Sequence, residues 1–294
     1  MKPPSFKFYD PRNLNEALSL LSQYGTDAKI LAGGQSLMPL MNLRLARPKI
    51  LIDINRVLEL TYINPGSGGG LALGALTRQR TVERSGLVQD RNPLLAASIP
   101  LIGHLQIRNR GTVGGSLVHA DPAAELPALA LLLEAEFVLQ SLRGERVTEA
   151  RDFFCSYMTT TIEPIELLTE IRFPPWNSRC GWAIQEISRR RGDFAVVGVA
   201  TLLTLNGNEA CEEARVALFG VGATAVRIEK AEAALQGTPL QKQNLAEAAR
   251  VVSESLEPDS DVHASAEYRR EVAGVLTRRA LEVALQRLRE AHEA

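Results

Sequence analysis

Apolar residues along the first sixty positions switch between two periods. Residues 6–9 read as a short strand that Pro11 ends. Leu14, Ala17, Leu18, Leu21 and Tyr24 then share one helix face, closed by Gly25, and Asn13 with Glu16 has the spacing of a capping box. Residues 29–31 read as a short strand, 37–45 return to helical spacing, Pro48 stops that run, and 50–54 alternate as a strand. The predicted order is β-α-β-α-β by residue 54.

Further on, 62–63 and 71–73 flank the turn NPGSGGG and predict a hairpin. Thr77 is placed to cap a short helix ending at Ser85, and 93–105 predict one longer apolar helix. Residues 125–133 read as a helix, 136–140 and 145–148 as a hairpin, and 167–173 as a strand. Pro174-Pro175 cannot continue a ladder and marks the best boundary. Beyond it, strands at 182–188, 196–205 and 216–219 precede helices at 228–235, 245–256 and 266–289. The fold class is α+β, with one domain over 1–175 and a small antiparallel sheet with packed helices over 176–294.

Composition narrows the function. With 33 basic and 34 acidic residues the net charge is −1, so there is no electrostatic case for nucleic acid. Cys155, Cys180 and Cys211 form no C-x-x-C pair, and the four histidines stand apart from other ligands, so no metal or iron–sulfur site is encoded. The start of the chain has no apolar leader, and no apolar run reaches membrane-spanning length. The expectation is a cytoplasmic protein with no direct membrane insertion, reaching a membrane only through partners. No G-x-S-x-G elbow or P-loop lysine is present, and no side chain is assigned a catalytic role. Residues 219–225, FGVGATA, fit a weak dinucleotide fingerprint, but Gly237-Thr238-Pro239 and another helix follow where a parallel strand is needed.

Two glycine loops remain. In KILAGGQSLMPLMNLRLARPKILIDI (29–54), Gly33 and Gly34 can turn successive N–H groups toward an anion, or simply make a strand–helix turn. In QIRNRGTVGGSLVHADPAAELP (106–127), residues 111–116 repeat the design, again with small residues exposing backbone N–H groups. If the loops converge, they suit a tightly held diphosphate cofactor such as FAD.

Together these two stretches resemble the FAD-binding medium subunit of molybdenum hydroxylases, the group that includes carbon monoxide, nicotine, caffeine and xanthine dehydrogenases. SRRRGDFAVVGVA and LFGVGATAVRIEKAEAAL fit that family's closing domain. The resemblance implies a first domain of the vanillyl-alcohol-oxidase (PCMH) type, with subdomains of about 1–60 and 61–175. It implies that Ala32, Gly33, Gly34, Gln35 and Ser36 hold the FAD diphosphate, and that Gly111, Thr112, Val113, Gly114 and Gly115 form a second cradle. Ser116 and Glu125 would contact the ribityl or phosphate region, and Ile102 and Leu168 would pack near the flavin. Gln185 falls where xanthine dehydrogenase has lysine, and Asp193 and Phe194 sit beside the ring.

The implied activity is electron transfer. A large molybdopterin-binding subunit hydroxylates substrate, and a small subunit with two 2Fe–2S clusters passes electrons to this FAD and on to an external acceptor. The implied assembly is a dimer of heterotrimers. A stand-alone flavoprotein oxidoreductase and a flavin-free scaffold subunit are the alternatives.

Overall fold

The computed structural model describes residues 2–293. They divide into two compact units. The first comprises residues up to 91, 104–120 and 135–175, and the second comprises 92–103, 121–134 and the residues from 176 on.

The chain opens with β1 (Lys7–Tyr9), α1 (Leu14–Tyr24), β2 (Ala28–Leu31), α2 (Leu37–Asn42) and β3 (Ile50–Asp53). Both β1 and β2 pair in parallel with β3, giving the order β1-β3-β2. Parallel neighbours need crossovers, and α1 and α2 supply them. Asn13 caps α1 by accepting the Glu16 N–H at 2.9 Å. Glu16 reaches back to the N–H of Arg12 at 2.8 Å, one residue short of a strict capping box. Ala17, Leu18 and Leu21 of α1 are buried against Ile50, Ile52, Ile54, Val57 and Leu167.

Next come β4 (Ile63–Pro65), β5 (Leu71–Gly74), α3 (Gln79–Arg84), α4 (Gly86–Arg91), α5 (Pro93–Ser98), α6 (Leu105–Arg110), α7 (Val113–His119) and α8 (Glu125–Leu132). They are followed by β6 (Glu136–Ser141), β7 (Gly144–Glu149), α9 (Ala150–Phe153), β8 (Phe154–Ser156), β9 (Thr159–Thr160) and β10 (Leu167–Phe173). An antiparallel sheet β4-β5-β10-β6-β7 forms the rest of the first unit's framework.

Two expectations need correction here. Residues 93–105 are not one helix: α5 gives way to a 3-10 turn at Ile99–Leu101, and Gly103 then takes a left-handed φ of +51°. Pro100 sits in that turn and has no N–H to continue an α-helical ladder. Thr77 is not a cap either. Its hydroxyl donates to the Tyr62 carbonyl at 2.8 Å and accepts the Tyr62 N–H at 3.2 Å, which ties it to the β4 side of the hairpin.

The second unit is built on β11 (Gly181–Ser188), β12 (Ala195–Leu205), β13 (Cys211–Phe219) and β14 (Val226–Arg227), antiparallel in that order. Then come α10 (Glu229–Leu235), α11 (Lys242–Ser255) and α12 (Ala266–Glu293). Val197, Val199, Leu203, Val216 and Leu218 share a core with Leu245, Ala248, Val252, Ala273, Ala280 and Ala284 of the helices. The first ten residues of β12 are all buried, the signature of a strand covered on both faces. The second cover includes α8, which packs on β12 and β13, and α5, which touches β11. That packing explains why 92–103 and 121–134 group with this unit although they precede Pro174-Pro175. Among the described residues no helix is long and apolar enough to cross a membrane.

Candidate cofactor-binding site

The first loop, residues 32–36, links β2 to α2. Gly34 takes a φ of +72°, a conformation that glycine adopts without a steric cost. Among the described residues no acceptor takes the N–H of Gly33, Gly34, Gln35 or Ser36. The Gln35 side chain instead turns back and donates Nε2 to the Gly33 carbonyl at 2.9 Å. Four consecutive unpaired donors around a left-handed glycine are a backbone run that can turn toward an anion.

The second loop differs from its expected design. The N–H groups of Gly111, Val113, Gly114, Gly115 and Ser116 are all taken within the chain, by Ile107 O, Thr77 O, Ala75 O, Thr112 Oγ1 and Thr112 O. Only Thr112 leaves its N–H without an acceptor among the described residues. The small residues there serve close packing. A Cβ on Gly114 would meet the Ala75 Cβ at 2.6 Å and the Ala75 oxygen at 2.8 Å. A Cβ on Gly115 would meet Thr112 Oγ1 at 2.6 Å, the atom that caps α7. This loop is a wall rather than a second nest.

The loops do converge. A Cβ on Gly33 would lie 2.6 Å from the Arg110 carbonyl oxygen and 2.8 Å from the Gly111 Cα. Side chains outside both loops join them. Asn55 Nδ2 donates to the Ala32 carbonyl at 2.8 Å. The Arg78 guanidinium donates to Asn55 Oδ1 and to the Arg110 carbonyl, each at 2.5 Å. The Arg78 and Thr112 backbones form an isolated antiparallel bridge. Beside it, the Gln79 backbone N–H binds the Gly111 carbonyl at 2.9 Å, while Gln79 Oε1 is buried with no hydrogen-bond partner. Asn55, Arg78 and Gln79 carry no motif, so sequence reading passed over them. Leu168, in β10 of the same unit, is 2% exposed and stands across from Leu139 of β6.

The other expected site residues belong to the second unit. Ile102 is 9% exposed, just before the left-handed Gly103. Glu125 opens α8 and is buried. Burial pushes its carboxyl up to about 8; a bond to its own N–H opposes this, and the nearby Glu186 and Asp121 charges add to it. Burial alone raises Glu186 to about 7, and its Oε2 has no hydrogen-bond partner. The strand register separates Glu186 from Gln185. Gln185 stands across from Val199 on the core face, and Glu186 stands across from Gly198 on the other. A single resemblance-based position on β11 could not resolve that alternation. Asp193 pairs weakly with Arg189 at 3.6 Å, and Phe194 is 63% exposed.

Two family models cover nearly the whole chain: the FAD binding domain in molybdopterin dehydrogenase over residues 4–176, and the CO dehydrogenase flavoprotein C-terminal domain over 182–284. The chain is 43% identical to the alpha subunit of the 6-hydroxypseudooxynicotine dehydrogenase complex of Paenarthrobacter nicotinovorans, over 100% of this chain and 99% of that one. It superposes with a TM-score of 0.94 on a chain of carbon monoxide dehydrogenase from Hydrogenophaga pseudoflava, at 41% identity over 98% and 99% of the two chains. A chain of quinoline 2-oxidoreductase from Pseudomonas putida 86 gives 0.92 at 36% identity, covering 99% of each. The nest of 32–36, the wall of 111–116 and this agreement along the whole length have one meaning: the chain belongs to the family of FAD-binding medium subunits of molybdenum hydroxylases.

Proposed function

We propose that this chain is the FAD-containing electron-transfer subunit of a heteromeric molybdenum hydroxylase. The observation that carries the proposal is the run of four free N–H donors over 33–36, set against the glycine-bearing wall at Gly111. The residues suit a diphosphate without a metal: the backbone donors could take up an anion, and among the described residues no metal-holding carboxylate cluster is found. Bound there, FAD supplies the redox chemistry and can exchange electrons singly or in pairs, which suits iron–sulfur donors.

The chain's own work is positional. Residues 32–36 bind the diphosphate through main-chain N–H groups, so side-chain identity matters there less than the absence of bulk. Gly111, Thr112, Val113, Gly114, Gly115 and Ser116 fix the opposite wall, with Thr112 as its donor. For Leu168 the placement near the flavin rests on the resemblance. For Ile102, Glu125, Gln185, Asp193 and Phe194 the support is the resemblance and not geometry.

The vanillyl-alcohol-oxidase type of the first domain belongs to the same proposal. It is supported by a parallel three-stranded sheet within 1–60 and an antiparallel five-stranded sheet within 61–175. The partners in this proposal are a molybdopterin subunit and a 2Fe–2S subunit, and the assembly proposed is a dimer of heterotrimers.

The test is Gly34→Val in the complete complex. Valine at a φ of +72° is strained, and its Cβ would press on Leu31 and Met38 at 3.1 and 3.3 Å. The expected variant keeps molybdenum and iron and still bleaches its iron–sulfur absorbance with substrate, but holds no FAD and loses turnover with the external acceptor. A variant that retains stoichiometric FAD would defeat the assignment.

A further inference from the structure

Arg78 is half-buried at the point where the two loops of the first unit meet. Its two terminal nitrogens reach acceptors in different segments, Asn55 Oδ1 and the Arg110 carbonyl. Asn55 holds the Ala32 carbonyl, so the path Ala32–Asn55–Arg78–Arg110 spans from nest to wall. Both acceptors of Arg78 are neutral amide oxygens. Among the described residues neither Arg78 nor Arg110 forms an ion pair. Burial and the adjacent Arg110 charge both work against the Arg78 cation, and only Asp53 favours it. Asp53 in turn spends its Oδ1 on the backbone N–H and the side-chain amide of Asn55. The junction therefore carries two guanidinium groups and one carboxylate, next to four unpaired N–H donors.

Such a junction lacks negative charge. A bound diphosphate would supply it, and a planar fork is the group that can hold two separated acceptors at once. We infer that Arg78 is a positioning residue for the cofactor diphosphate: it sets the spacing of the two loops, and with Arg110 it gives the nest its net positive charge. The inference rests on the FAD reading above. It assigns Arg78 two roles that substitutions separate. Lysine keeps the charge and loses the fork. Glutamine loses the charge and cannot span both acceptors.

The experiment is FAD titration of the apo full chain, followed by flavin fluorescence across a range of salt concentrations. Variants are Arg78→Lys, Arg78→Gln and Arg110→Gln, and thermal melting of each apo chain reports its fold. Arg110 has an exposed side chain, and the contact in the network is its backbone carbonyl, so Arg110→Gln isolates charge without touching the brace.

Wild-type affinity is expected to fall with salt. Arg78→Lys should bind FAD several-fold more weakly with the wild-type salt dependence. Arg78→Gln should bind roughly ten- to a hundredfold more weakly, with a flatter salt dependence. Arg110→Gln should flatten the salt dependence with a smaller loss. A purely structural arginine would weaken binding in Arg78→Gln but leave the salt dependence of both glutamine variants unchanged, and that result overturns the inference. Wild-type binding in Arg78→Gln overturns it as well. A wild-type chain that takes up no FAD removes the underlying reading and this inference together.

Discussion

A methyl group on Gly33 would sit 2.6 Å from the Arg110 carbonyl oxygen, whereas one on Gly114 would run into Ala75 beyond the end of β5. The two glycines are small for different reasons, and their alanine variants should fail differently. Gly33→Ala acts at the buried seam between the two loops and pushes them apart. It should cut FAD affinity at least tenfold, more than Gly114→Ala does. Gly114→Ala overpacks a buried contact and should cost about 1–3 kcal/mol of stability as well. Melting curves of the apo chains together with flavin titrations separate the two. Glu125 gives a pH prediction at the same scale. Its folded value of about 8 lies well above that of an exposed carboxyl, so the folded chain binds more protons than the unfolded one between roughly pH 4.5 and 8. Stability contributed by the protonated form is complete below that window and is lost as pH rises through it. Glu125→Gln should therefore melt above wild type at pH 8 and close to it at pH 5. Equal melting at both would show that burial does not hold the proton there.

Elements differ in how plainly they are written in the sequence. α1 and α11 present one apolar stripe each, and β10 was legible to its last residue, because periodicity needs only one buried face. The stretch 93–105 hid its break because Leu94, Leu95 and Ile99 are all fully buried, leaving no polar face to set a phase. The paired glycine loops were visible as motifs. The pairing of the second loop's donors was not: Val113 and Gly114 bind Thr77 and Ala75, which lie more than thirty residues upstream. Glu186 was invisible for a related reason: only the register with β12 shows which neighbour on β11 turns away from the core. Close approach between elements is also written in glycine. Gly181 leaves space for the Ala284 carbonyl of α12, and the Phe219 ring lies over Gly198. Gly198→Ala has no flexible neighbour to displace, since an aromatic ring covers the position from β13. It should lower the melting temperature by several degrees, an effect calorimetry of the full chain would resolve.

At the scale of the whole molecule, the chain brings donors, walls and charge, which fits a subunit that holds a cofactor in place while electrons pass. The chemistry on substrate then belongs to a partner, and substrate identity is not a property of these 294 residues. The flavin content of the chain, purified with its partner subunits, tests this account most directly. The prediction is one flavin per copy of this chain, released on denaturation as FAD, with its absorbance superposed on that of iron–sulfur clusters. A purified complex that contains molybdenum and iron but no flavin would contradict it.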